Sequence, residues 1–116
     1  MRNTIKKHND FLVPDENPTA RSAFFIIRAK TAKFPDDPRF GLVATKKTFR
    51  FAVQRNLAKR KLRDWIRFAG DDMAPDMDYV FIARRAILDA TRDDGRAAMT
   101  RALRYLAHEN AKNGKK

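Results

Sequence analysis

Between about residue 51 and residue 69, apolar side chains recur at helical intervals: Ala58, Leu62, Trp65, Ile66 and Ala69 follow one another at steps of four, three, one and three. The spacing predicts an amphipathic helix that turns this stripe to a core and stops at Gly70. Burying the stripe forces Asn56, Lys59, Arg60, Arg63 and Arg67 onto the opposite side as one ridge. Upstream the period changes. Ala23 to Lys30 holds the run Phe24, Phe25, Ile26 and Ile27, and the cluster Pro35, Asp36, Asp37, Pro38 follows it, which predicts a strand and then a turn. Phe40 to Thr45 is a second such run, and the short linkage between the two favours an antiparallel pair. After an acidic loop from Asp71 to Asp78, Tyr79 to Ala83 predicts a third strand. A last helix is expected after Asp93 and Asp94, which suit its N-terminus, with Met99, Ala102, Leu103 and Leu106 as its buried stripe. At the start of the chain, Pro14 and Pro18 keep any opening helix short.

This order of elements predicts an α+β sandwich with a small sheet. A chain of 116 residues can bury one core, so a single domain is expected over residues 1–109, with a flexible basic tail at 110–116. If the runs at 40–45 and 79–83 are parallel, the basic helix joins them as a β-α-β unit, which base rates make right-handed. Nine Phe, two Tyr and one Trp set the chain apart from disordered polycations, which are poor in aromatics. The absence of Cys rules out a disulfide framework and thiolate chemistry, and fits a reducing compartment, so a cytoplasmic protein is expected. Met1 to Asn9 carries no apolar segment of the signal-peptide kind, and no run approaches the roughly 18 apolar residues of a spanning helix. No membrane partner is therefore expected.

Charge changes this picture. Residues 41–70 hold nine Lys or Arg against Asp64 alone, a local net of +8 in a chain whose net charge is +12. Like charges three and four residues apart on a helix cost a few tenths of a kcal/mol each, and no Glu is interleaved to offset them. A ridge that opposes its own helix points to a polyanionic partner, foremost nucleic-acid phosphate. Lys46 and Lys47 close the second strand and stand beside it. Phe24, Phe25, Phe40, Phe49 and Tyr79 could stack on unpaired bases, although core packing is the simpler reading of each. His8 and His108 lie at opposite ends of the chain without metal-ligand spacing, and Asp71, Asp72, Asp76 and Asp78 fit no cation loop, so a solvated turn is expected there. There is no phosphate-binding Gly-rich loop, no Ser/His/Asp or Cys/His set and no carboxylate pair in an apolar setting. If the chain serves an enzyme, its own side chains do not perform the chemistry, and no protein-bound metal or cofactor is expected.

The spacing Arg55, Asn56, then Lys59, Arg60, then Arg63 resembles the signature helix of the bacterial ribonuclease P protein subunit. Upstream, Arg39 to Lys47 resembles the family's R-x-G-L-x-x-x-K-K strand, and downstream Met77 to Arg84 resembles its D-[YF]-[VI]-x-[VI]-A-[RK] strand. The resemblance implies a fold of order αβββαβα, with a four-stranded sheet and a left-handed β-α-β crossover in place of the base-rate hand. It implies a protein that binds ribonuclease P RNA and the 5′ leader of precursor tRNA, one protein per RNA. Catalysis would lie in the RNA subunit with Mg2+. Carried over by position, Lys46, Lys47, Arg55, Asn56, Lys59, Arg60 and Arg63 would contact RNA. Phe11, Phe25 and Ile27 would line the leader cleft, between the first helix and one face of the sheet. Leu57 stands where the family usually has Arg, leaving Arg50 or Lys61 as substitutes, and Pro14, Asp15 and Glu16 occupy the place of a second helical aromatic. Two other readings fit the charge: a structural RNA-binding protein such as a ribosomal component, and a DNA-binding module that seats residues 55–67 in a major groove. The resemblance favours RNA, and no DNA partner is expected.

Overall fold

Strand β5 (Met77–Ala83) is apolar on both of its faces, and such a strand is stable only where both faces are covered. In the computed structural model, which describes residues 3–5, 17–32, 34, 39–74 and 76–113, it accordingly lies in the middle of the sheet. On one side it pairs antiparallel with β3 (Phe25–Thr31), and on the other it pairs parallel with β4 (Arg39–Val43). The antiparallel pair expected between the first two apolar runs therefore does not form: β3 and β4 run in opposite directions, but β5 separates them. A three-residue strand, β2 (Thr19–Arg21), which the apolar pattern does not announce, extends the sheet beyond β3. The two-residue β1 (Asn3–Thr4) adds to the outer edge of β4, giving the order β1-β4-β5-β3-β2. The domain is a small α+β fold in which β2 to β5 form the sheet proper and two helices pack on it. The expected opening helix, and Phe11 within it, lie outside the described residues.

Helix α1 (Ala52–Ala69) links β4 to β5 and buries Ala58, Leu62, Trp65, Ile66 and Ala69, the stripe the spacing predicts. These side chains join one core with Phe25, Ile27 and Ala29 of β3 and with Tyr79, Phe81 and Ala83 of β5. Past Ala69 the chain tightens into a 3-10 turn at Gly70–Asp72. Helix α2 (Arg92–Asn113) contributes Ala98, Met99, Ala102, Leu103 and Leu106 to the same core. It starts at Thr91, whose Oγ1 accepts the Asp94 N–H at 3.1 Å, and Asp93 and Asp94 occupy its first turn as expected. It also runs on through Asn113, so the loose tail expected from residue 110 is helical over its first part.

Trp65 is the keystone of the helix layer. Its ring centroid lies 5.9 Å from that of Phe24 and 6.1 Å from that of Phe25, and its indole presses on the backbone of α2 at Gly95, where a Cβ would overlap the ring. On the opposite face of the sheet, Ile5 and Val80 form a smaller cluster with Val43 and Ile82.

Asp78 corrects a further expectation. Rather than closing a solvated acidic loop, it is the second residue of β5 and has no exposed surface. Its Oδ1 accepts the backbone N–H of Arg39 at 2.7 Å, and its Oδ2 faces Arg39 Nη2 at 3.5 Å. The pair ties the first residue of β4 to the start of β5.

Candidate nucleic-acid interface

A helix packed on a sheet through one stripe must present its remaining circumference to solvent. On α1 that circumference is cationic: Asn56, Arg60, Arg63 and Arg67 are exposed, with Lys59 and Arg55 half-buried at the margins of the strip. Ahead of the helix, the turn after β4 carries Lys46, Lys47 and Arg50, all exposed. This turn is a built structure. Thr45 Oγ1 accepts the Thr48 N–H at 3.2 Å, the Thr45 carbonyl accepts the Phe49 N–H at 2.9 Å, and Phe49 is fully buried as the anchor that seats the turn on the core.

The acid that sequence counting sets against these cations is taken elsewhere. Asp64 faces α2, where its Oδ1 meets Arg96 Nη2 at 3.2 Å and its Oδ2 meets Arg92 Nε at 3.9 Å. Arg96 in turn lies over the ring of Phe68, with its guanidinium carbon 4.6 Å from the centroid. Among the described residues, none of Lys46, Lys47, Arg50, Lys59, Arg60, Arg63 and Arg67 belongs to an ion pair. Seven cations thus share one surface with no internal counter-charge.

Two basic residues of α1 have structural work instead. Lys61 Nζ donates to the carbonyls of Ile87, Leu88 and Ala90 at 2.9 to 3.0 Å, capping the 3-10 segment Arg85–Asp89 that the sequence pattern did not reveal. Of the two substitutes for an arginine at position 57, Lys61 is thus turned inward, while Arg50 is exposed. Arg55 Nη1 donates to the Phe49 and Arg50 carbonyls at 2.9 and 3.2 Å, so this residue locks the basic turn to the helix and offers only its remaining donors outward.

Phe25 and Ile27 are not where a leader cleft would need them. Both are fully buried in the core beneath the helices, Phe25 in ring contact with Trp65. Strand alternation places Ile26 and Arg28 on the other face instead, and across the sheet Arg21 stands opposite Ile26. Period-two spacing separates the two faces of a strand without saying which one the helices cover. The other aromatics weighed as stacking platforms are core residues too: Phe49 and Tyr79 are buried, while Phe24 and Phe40 are half-buried against the same cluster. Phe51, which the sequence pattern did not single out, is 59% exposed at the head of α1.

A small sheet carrying a helix whose solvent side is an uncompensated cationic ridge defines a basic α+β domain of the kind that docks on a polyanion. The comparisons with known proteins agree on one family within that class. A family model described as Ribonuclease P matches residues 1–107, and the chain belongs to the ribonuclease P protein family. A Brucella suis protein named Ribonuclease P protein component is 39% identical over 95 residues, covering 74% of this chain and 67% of that protein; a Brucella melitensis protein of the same name gives the same figures. Among solved structures, the RNase P protein of Staphylococcus aureus shares the fold with a TM-score of 0.73 at 24% identity, covering 90% of this chain and 95% of its own. That of Thermotoga maritima gives 0.72 at 20% identity, covering 90% and 97%.

Proposed function

We propose that this protein, as a member of the ribonuclease P protein family, binds the RNA subunit of ribonuclease P through the ridge on α1 and assists removal of the 5′ leader from precursor tRNA. The observation that carries this reading is the set of seven cations on α1 and its leading turn, none of which pairs with an acid among the described residues. Folded RNA packs its own phosphates closely, so cations fixed on a rigid helix relieve that repulsion and set the docking orientation. Lys46, Lys47, Asn56, Lys59, Arg60 and Arg63 make these contacts, with Arg55 holding the turn in register. The RNA subunit and its Mg2+ supply the hydrolytic chemistry, one protein serves each RNA, and the complex works in the cytoplasm. Leader RNA passes over the sheet face that carries Arg21, Ile26 and Arg28.

The test is cleavage of a precursor tRNA by a bacterial ribonuclease P RNA at low magnesium, with and without the protein. Strong stimulation of cutting at the mature 5′ end is expected. No stimulation from folded protein with a compatible RNA would shift the weight to a structural RNA-binding role. Tighter binding of precursor than of mature tRNA by the reconstituted complex separates these two roles directly.

A further inference from the structure

We infer that Phe51 is a stacking platform for an unpaired nucleotide of the RNA partner, with Arg50, Lys46 and Lys47 taking the phosphates beside it. The inference rests on the RNA-binding reading above and adds to it a specific contact that charge alone does not supply.

Phe51 violates two local rules at once. It occupies the N-cap of α1, where Ser, Thr, Asp or Asn would stabilise the helix by about 1 kcal/mol and a phenyl ring makes no cap hydrogen bond. It also leaves 59% of its surface in water, although Phe49, two residues earlier, is completely buried. Neither feature stabilises the fold, and such local conflicts concentrate at functional positions.

The ring is nonetheless held in place. The Phe51 N–H donates to Gln54 Oε1 at 3.3 Å, and its carbonyl accepts the Gln54 and Arg55 N–H groups at 3.0 and 3.2 Å. Arg55 fixes the two preceding carbonyls, so the backbone is clamped on both sides of the ring. A side chain presented by such a frame loses little entropy when it is covered.

The surroundings select the occupant. The guanidinium carbon of Arg50 lies 5.6 Å from the Phe51 ring centroid, and Lys46 and Lys47 are exposed on the same turn. An aromatic ring among cations that pair with no acid among the described residues matches a nucleotide whose base has left its stack, because only there do a flat π surface and flanking phosphates come together. A paired duplex shows its phosphates but hides its base faces.

The experiment measures binding of the full-length chain and its variants to a bacterial ribonuclease P RNA over a series of salt concentrations. Phe51→Ala is expected to weaken binding between about fivefold and a hundredfold at every salt concentration, with the slope of log K against log salt unchanged. Phe51→Leu keeps apolar surface without a π face and should recover only part of the affinity, and it serves in place of Phe51→Ala should that variant not fold. Phe51→Trp should retain affinity, and the emission of its added indole should be quenched on binding, against a background in which Trp65 is buried. Affinity within about twofold of the parent for Phe51→Ala and Phe51→Leu, or an unquenched Phe51→Trp in bound complex, overturns the inference and leaves the ridge reading intact. Failure of the parent protein to bind the RNA overturns both.

Discussion

Arg60 and Lys61 are adjacent, carry the same charge and have opposite roles. Arg60 faces solvent on the ridge, whereas the Lys61 ammonium sits among three carbonyls of the segment that leads from β5 to α2. Replacing Arg60 or Arg63 with Ala should weaken RNA binding and flatten its salt dependence by roughly 0.7–0.9 in log–log slope for each phosphate no longer neutralised, as read by filter binding across salt concentrations. Lys61→Met should leave that slope alone, because the methionine keeps the apolar stem and removes only the donor. Its cost should appear in urea unfolding as about 1–3 kcal/mol, since three carbonyls would be left without their charged partner. The helical wheel sets Arg60 opposite the apolar stripe and Lys61 at its edge, one turn before Trp65, but it does not show what the Lys61 ammonium meets. What distinguishes them is a 3-10 segment some 26 residues downstream that brings its carbonyls to one side of α1. The same limit applies to Phe25 and Ile27: their shared face was legible, but which side of the sheet the helices would cover was not.

Among the elements, α1 was the most legible, since five buried positions at regular helical steps admit only one orientation against a core. The strands were less so. Val80 and Ile82 are as apolar as Tyr79 and Phe81, and that double-sided pattern marks β5 as central, yet chain proximity argued for pairing β3 with β4. Two contacts between elements carry predictions. Asp78→Ala should cost about 3–5 kcal/mol in chemical denaturation, because Arg39 would be left beside an empty site in a buried setting and a backbone N–H would lose its acceptor. Gly95→Ala should destabilise by about 1–3 kcal/mol although Ala is the better helix former, because the added methyl meets the indole of Trp65 and the two helices must separate to admit it. A Gly95→Ala variant as stable as the parent would mean that the Trp65 packing is looser than the structure shows.

At the scale of the whole molecule, acids and cations are sorted by location. Asp64 and Asp72 of α1 and the turn after it are paired with arginines of α2, Asp78 is buried with Arg39, and among the described residues no acid pairs with the cations on the outer side of α1 and its leading turn. The helix pairings are partly solvent-exposed and are each worth at most about 1 kcal/mol, so their larger effect is on the shape of the field rather than on stability. Sorting of this kind leaves an orientable molecule. Approaching a polyanion, it presents the ridge first.

The central place of β5 has a consequence for the order of events during synthesis. Strands β3 and β4 emerge from the ribosome early, and they have no mutual hydrogen bonds with which to hold one another. Both wait for Met77–Ala83, which arrives only after the whole basic helix has been made. Until then two open edges and an unsupported polycationic segment coexist on a nascent chain. A fragment ending at Ala74 should therefore show no cooperative thermal transition by circular dichroism, while the full chain does. The late strand joins β3 to β4 and gives α1 a sheet to pack on, and α2, made last of all, closes the core over them.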